Sequence, residues 1–148
     1  MNPRVAVGLR WALTLLAVLG LAYDAYVHFD LASNYDAIKT STVSQGDLFR
    51  SEGVIAILVA LALLVRPRRY TALLAFLVAG SALAVLLIYR YYRVKAIGPI
   101  PSMYEPVWFA EKTRTAYAEG VATVSAAALL LLLHVHSRAR DARAVPAG

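Results

Sequence analysis

The sequence contains no cysteine. This absence excludes disulfides, thiolate metal sites and a cysteine nucleophile. Familiar catalytic motifs are also missing: there is no His-Glu-x-x-His, no nucleophile elbow and no phosphate-binding glycine loop. The sequence therefore favours a protein without enzymatic activity, and only a carboxylate pair acting across helices stays open as a catalytic alternative.

Charged residues are scarce as well. They make up 16% of the chain, and hydrophobic residues make up 60%. Soluble domains have about 25% charged and about 45–50% apolar residues. The net charge of +6 comes from cations that flank apolar blocks and do not alternate with base-stacking aromatics. We therefore expect membrane lipids as partners and no nucleic acid.

The apolar residues form four blocks, each near the ~20 residues that a helix needs to cross a bilayer. The blocks are about 5–28, 48–65, 71–89 and 113–135. Lipid offers no hydrogen-bond partner to a strand edge, so each block must be helical. The prediction is an all-α, integral membrane four-helix bundle forming one domain over residues 1–138, followed by a disordered tail over residues 139–148.

Three local patterns refine the helix boundaries. Residues 22–25 lack a small-x-small cleavage site, so the first block is predicted to be an uncleaved span and not a signal peptide. The segment from Ser44 to Asp47 resembles a capping box at the start of the second helix. Glu105-Pro106 resembles a helix start, which predicts that the fourth helix begins near Pro106 and projects beyond the bilayer.

The arginines indicate orientation. A compact turn with three arginines, residues 66–69, joins the second and third spans, and other arginines precede the first span and follow the fourth. All acidic residues except Asp141 fall on the opposite side. Because arginine in short loops resists translocation, we expect both termini to be cytoplasmic in a cell (inner) membrane. The excess of arginine over lysine and the abundance of alanine are typical of GC-rich bacteria.

Three spans carry a carboxylate at a matched distance from the arginine-flanked side. The relevant pairs are Arg10–Asp24, Glu52–Arg66 and Glu119–His134. Each separation corresponds to roughly 21–23 Å of helix, which is short of the ~30 Å hydrocarbon core. We therefore expect the three carboxylates to share one depth in the outer half and to face the bundle interior, since lipid contact would cost several kcal/mol. His28 lies one turn from Asp24 on the same helix face.

Four interpretations of this acidic pocket stay open. Asp24, His28, Glu52 and Glu119 have the chemistry of ligands for a divalent metal, which makes such an ion the one candidate cofactor. The carboxylates are also the usual groups of a proton or cation pathway, although the inner half offers few polar residues to continue one. A lipid headgroup or quinone-like amphiphile is a third candidate ligand.

The fourth interpretation needs no ligand. Arg50, Arg90 and Arg114 are predicted to neutralise the carboxylates as interhelical ion pairs that fix helix register. The principal functional prediction follows from it: a non-enzymatic accessory or scaffold protein of a larger membrane assembly. Binding of a metal, lipid headgroup or quinone-like molecule is the alternative.

One stretch carries a family resemblance. Residues 26–32, Tyr-Val-His-Phe-Asp-Leu-Ala, and residues 46–52, Gly-Asp-Leu-Phe-Arg-Ser-Glu, resemble small four-span membrane proteins of high-GC bacteria, most of them of unknown function. The size of the chain is also similar to that of the DoxX-like group. The resemblance implies a four-span membrane fold and assigns no functional residue.

Overall fold

The computed structural model describes residues 2–144 and is all-helical apart from its loops. The four helices are α1 (Pro3–Ala32), α2 (Gln45–Val65), α3 (Arg69–Tyr91) and α4 (Ala110–Ala144), and a 3-10 turn, Ser33–Tyr35, follows α1. All four are long and apolar enough to cross a membrane. The predicted all-α architecture with four helices is thereby confirmed.

Polar side chains set the helix starts. The Asn2 side chain accepts a hydrogen bond from the Arg4 backbone N–H and caps α1. At α2, Ser44 Oγ accepts from the Asp47 N–H at 2.9 Å, and Asp47 Oδ2 accepts from the Ser44 N–H at 3.0 Å. This reciprocal pair is the predicted capping box, and it satisfies two backbone donors that a helix N-terminus would otherwise leave unpaired.

The two ends of α4 differ from the prediction. The helix begins at Ala110, four residues after Pro106, and its first bond runs from the Thr113 N–H to the Phe109 carbonyl. The Val107 N–H instead turns back to Glu105 Oε1, which keeps residues 105–109 outside the helix. Residues 139–144 of the predicted tail continue α4. Residues 145–148 lie outside the described residues.

Hydrogen bonds gather one set of chain segments at a single end of the bundle, named here the arginine end (residues 2–10, the 66–68 turn and the C-terminal part of α4). Arg10 Nη2 donates to the Pro67 carbonyl at 2.8 Å. Arg69 Nη2 donates to the carbonyls of Leu133 and His134. The helices therefore alternate in direction, and residues 33–44 and 92–109 form the opposite end, named here the loop end.

The half of the bundle nearer the arginine end has a core of small side chains. Eight of its members are alanines and three are leucines: Ala17, Ala56, Ala60, Ala72, Ala75, Ala79, Ala122, Ala126, Leu21, Leu63 and Leu129. Small residues allow helix axes to approach closely within a membrane. One such close approach lies between α1 and α4, where a Cβ on Gly20 would come within 2.6 Å of the Ala118 carbonyl oxygen.

The loop end is covered by residues 94–103, named here the hairpin loop. Val94 and Met103 exchange two backbone hydrogen bonds, as do Ile97 and Ile100, and Gly98 turns the chain with φ of 58°. Two side chains fasten the hairpin loop to the bundle. Thr40 Oγ1 donates to the Pro99 carbonyl at 2.8 Å and Gln45 Nε2 to the Ser102 carbonyl at 2.7 Å.

Candidate functional site

A half-enclosed cavity of about 330 Å³ lies beneath the hairpin loop, between the four helices. Its walls are mostly apolar and aromatic, with Val27, Phe49, Val85, Leu86 and Phe109 among them. Its volume falls in the lower part of the ~300–1,000 Å³ range of small-molecule sites. The cavity is therefore large enough for a compact organic ligand.

The cavity exists because α3 leaves the packed core halfway along its length. The buried residues of α3 are Ala72, Ala75 and Ala79, all in its first half. Beyond Ala79, side chains from Ser81 to Tyr89 line the cavity. Helices α2 and α3 are joined by a tight turn at the arginine end, and of the neighbouring helix pairs they share the smallest interface. The space is thus bordered by the second half of α3, which contributes no buried residue to the core.

The structure brings the predicted carboxylates together at the floor of this cavity. Asp24 and Glu119 are each 1% exposed, and Glu52 is partly buried. Glu52 and Glu119 line the cavity, with Asp24 behind them. The carboxyl groups of Asp24 and Glu119 are close enough to share a hydrogen bond, and Glu52 lies within electrostatic range of both. The equal spacing along three helices thus corresponds to a real meeting of side chains.

Apart from a proton that Asp24 and Glu119 can share, most oxygens of this acidic floor have no hydrogen-bond donor. Both Asp24 carboxyl oxygens, Glu52 Oε1 and Glu119 Oε2 are buried without a partner among the residues that the structure describes. A buried polar group without a hydrogen bond costs about 1–3 kcal/mol, and a charged one costs more. The acidic floor is therefore an unsatisfied site within a membrane-spanning bundle.

His28 is the basic group closest to the acidic floor. Its Nδ1 lies 3.0 Å from the Asp24 backbone carbonyl and 3.0 Å from Asp24 Oδ1. The His28 Nδ1–H group is aligned with the backbone carbonyl oxygen of Asp24. It is not aligned with Asp24 Oδ1, which therefore has no hydrogen bond. The ring also packs edge-on against Phe49, with centroids 5.1 Å apart. One imidazole held in this way does not satisfy three carboxyl groups.

The predicted arginine pairs are wrong. Arg50 instead forms a bidentate pair with Asp36, with both N···O distances at 2.8 Å, and this guanidinium lowers the pKa of Asp36. Arg90 lies over the rings of Tyr91 and Trp108. Arg114 is exposed. Within residues 2–137, no arginine forms a salt bridge with Asp24, Glu52 or Glu119.

The physical reason lies in the 33–44 loop, which folds back over the start of α2. The loop contacts α2 closely at Gly46, where a Cβ would overlap with Asp36 Oδ1. Asp36 is thus placed beside Arg50 at the solvent-exposed end of the helix, where both groups stay about 43–44% exposed. An arginine turned towards the cavity floor would lose that hydration.

The geometry also fails to support the predicted metal site. In the part of the chain that the structure describes, no group of three or more His, Asp or Glu side chains is arranged to hold a metal ion. Of the four predicted ligands, Asp24 does not line the cavity, and His28 Nδ1 already bonds to the Asp24 backbone carbonyl of its own helix.

Several cavity residues were missed by sequence reasoning. Lys112 is 7% exposed and donates from Nζ to the Glu105 backbone carbonyl. Tyr35 donates from its hydroxyl to Glu105 Oε2 at 3.4 Å. Thr115 is 3% exposed, and its hydroxyl has no partner among the described residues. Thr115 and Lys112 lie one and two turns from Glu119 on α4, and this helical spacing was the signal that could have identified them.

Comparison of the chain with protein-family models, curated proteins and solved structures finds no match. The resemblance to four-span proteins of high-GC bacteria therefore stays a prediction. The cavity and its acidic floor are the features of the molecule that indicate a function.

Proposed function

We propose that this protein is a non-enzymatic, multi-pass membrane protein that binds a small amphiphilic molecule in the cavity. The apolar part of the ligand contacts the walls between α2 and α3, and its polar part reaches the acidic floor. The observation that carries the proposal is the set of buried carboxyl oxygens without donors at the floor of an apolar cavity. A ligand that donates hydrogen bonds there removes the desolvation penalty of those oxygens.

The shape of the cavity favours binding over conduction. Its lining extends from the hairpin loop down to Glu52 and Glu119, and the next layers towards the arginine end are close-packed alanine and leucine. Two of the hydroxyls found deeper bond to their own helices: Thr14 Oγ1 to the Arg10 carbonyl and Thr123 Oγ1 to the Glu119 carbonyl. A ligand therefore enters and leaves at the loop-end half, where the cavity is only half-enclosed.

The same proposal includes orientation and location. Arginines gather at the arginine end, where Arg10 and Arg69 hold neighbouring segments together. By the positive-inside rule this end faces the cytoplasm, so the cavity lies in the outer half of a bacterial cell (inner) membrane. An accessory role in a larger assembly stays a prediction, but it no longer has the support of arginine-neutralised carboxylates.

Native mass spectrometry of the full chain in mild detergent tests the proposal. Ala82 lines the cavity on α3, whereas Ala84 on the same helix is exposed and does not line it. We expect a non-covalently bound small molecule on the wild type and on Ala84→Trp, and its loss from Ala82→Trp because the indole fills the cavity. Equal occupancy of the two variants, or no bound molecule on any of the three proteins, would contradict the proposal.

A further inference from the structure

The groups that face the acidic floor are unbalanced in charge. Helix α1 contributes Asp24 and His28, α2 contributes Glu52 and α4 contributes Glu119. From α3, the cavity lining runs from Ser81 to Tyr89 and contains no charged residue. Three acidic groups thus meet one imidazole.

The nearest ammonium group does not balance the acidic floor. Lys112 lies seven residues from Glu119, which is about 10 Å along the helix. Its Nζ is already bound to the Glu105 backbone carbonyl and lies 5.6 Å from the Trp108 ring centroid. Lys112 and Glu105 therefore belong to the mouth of the cavity, and neither hydrogen-bonds to the floor.

Three neighbouring carboxylates cannot all stay ionised in an apolar site without a cation. Asp24 and Glu119 lie close enough for their carboxyl groups to share one proton, which lowers the negative charge of the site. The unpartnered Glu119 Oε2 belongs to a cavity-lining side chain that is 1% exposed. A positive group in the cavity would meet this carboxyl group directly.

The cavity walls suit such a cation. Five aromatic side chains line it: Tyr35, Phe49, Tyr89, Tyr104 and Phe109. Aromatic faces attract alkylammonium groups, and the attraction strengthens when the site is desolvated. The combination of carboxylates with aromatic walls is specific for an organic cation, because a hydrated inorganic cation gains nothing from the apolar surface.

We propose that the cavity takes the ammonium group of an amphiphilic cation in exchange for a proton held between Asp24 and Glu119. This inference rests on the proposed function and names its ligand class. The step forms no covalent bond: one cation enters, one proton leaves to water and the net charge of the site is unchanged. The ammonium group can belong to a free lipophilic amine or to an ethanolamine lipid headgroup.

The experiment uses a cation that carries no dissociable proton, so that every released proton comes from the protein. Benzyltrimethylammonium is such a probe, and neopentylbenzene is its uncharged isostere. Isothermal titration calorimetry of the detergent-purified full chain, in two buffers of different ionisation enthalpy, counts the protons released. We expect about one proton per bound cation, and an apparent Kd that rises about tenfold for each unit fall in pH. The uncharged isostere should bind more weakly and release none.

Variants identify the source of the proton. We expect Glu119→Gln to abolish proton release and weaken cation binding at least tenfold. The control Asp30→Asn makes a similar change at an exposed position outside the cavity and should behave as the wild type does. If Glu119→Gln fails to fold, Glu52→Gln provides the second test, and it should weaken cation binding at least tenfold as well. The number of protons released by the wild type is measured without any variant.

The outcomes separate the two proposals. If both probes bind with equal affinity and no proton is released, the cation exchange is wrong and the amphiphile cavity stands. If neither probe binds, both the cation exchange and the proposed function are wrong. Repeating the titration in nanodiscs with and without phosphatidylethanolamine distinguishes the sources. Competition by this lipid supports the headgroup, and unchanged affinity supports a free amine.

Discussion

The two halves of this bundle differ in how closely their interiors are packed. Near the arginine end, alanines and three leucines fill the interior, and the buried Thr14 hydroxyl bonds to its own helix. Near the loop end, the helices surround a cavity of about 330 Å³ whose floor holds carboxyl oxygens without donors. We infer that close packing in one half stabilises the fold, whereas the other half carries an energetic penalty that a ligand can remove.

The largest expected effect comes from one substitution made in each half. Leu63 is fully buried in the alanine core, whereas Leu86 lines the cavity. We expect Leu63→Ala to lower the free energy of unfolding by about 2–5 kcal/mol, because it leaves a void in close packing. Leu86→Ala enlarges a space that already exists and should cost less than about 1 kcal/mol. Reversible unfolding in mixed micelles measures both, and equal losses would show that the halves do not differ in packing.

A smaller effect of opposite sign is expected at the acidic floor. Asp24→Asn removes one carboxylate and supplies an amide donor to Glu119, so it should raise the stability of the ligand-free protein by about 1–2 kcal/mol. The control is Asp30→Asn on the same helix, where the side chain is exposed. Its effect should stay within about 0.5 kcal/mol. A loss of stability in Asp24→Asn, measured by the same unfolding assay, would mean that the carboxylate has a stabilising partner.

The smallest expected effect concerns the exposed pair of Asp36 and Arg50. Because Arg50 lowers the pKa of Asp36 in the folded protein, the pair contributes stability above the ordinary aspartate value of 3.8. That contribution is lost as the pH falls through the lowered pKa. We expect Asp36→Asn to be slightly less stable than the wild type near neutral pH and to have a flatter acid limb. An unchanged acid limb would argue that the ion pair adds nothing to stability.

Much of the fold follows from the amino-acid sequence, because in a membrane the apolar blocks themselves define the helices. The blocks predicted at 48–65 and 71–89 lie within α2 and α3 and end within three residues of their bounds. The meeting of Asp24, Glu52 and Glu119 also follows from the sequence, because the rise of a helix converts residue spacing into depth.

The arginine partners, the hairpin loop and the cavity could not be predicted, because they depend on contacts between residues that are distant in the sequence. Arginine side chains are long, so their partners depend on how loops fold, and Asp36 reaches Arg50 only because its loop passes over Gly46. The hairpin loop forms through two pairs of backbone bonds and has no clear alternating pattern. The cavity borders the second half of α3, which has no buried residue, and this loss of packing has no local signal in the sequence.

The most direct test of the unsatisfied acidic floor is infrared difference spectroscopy on the wild type and on Glu119→Gln. At neutral pH the wild type should have the carbonyl band of an un-ionised carboxylic acid, shifted in deuterium oxide and absent from the variant. Saturation with benzyltrimethylammonium should replace this band by carboxylate absorption. A wild-type spectrum containing only carboxylate bands, with or without the probe, would mean that the carboxyl groups are already neutralised and would contradict the account.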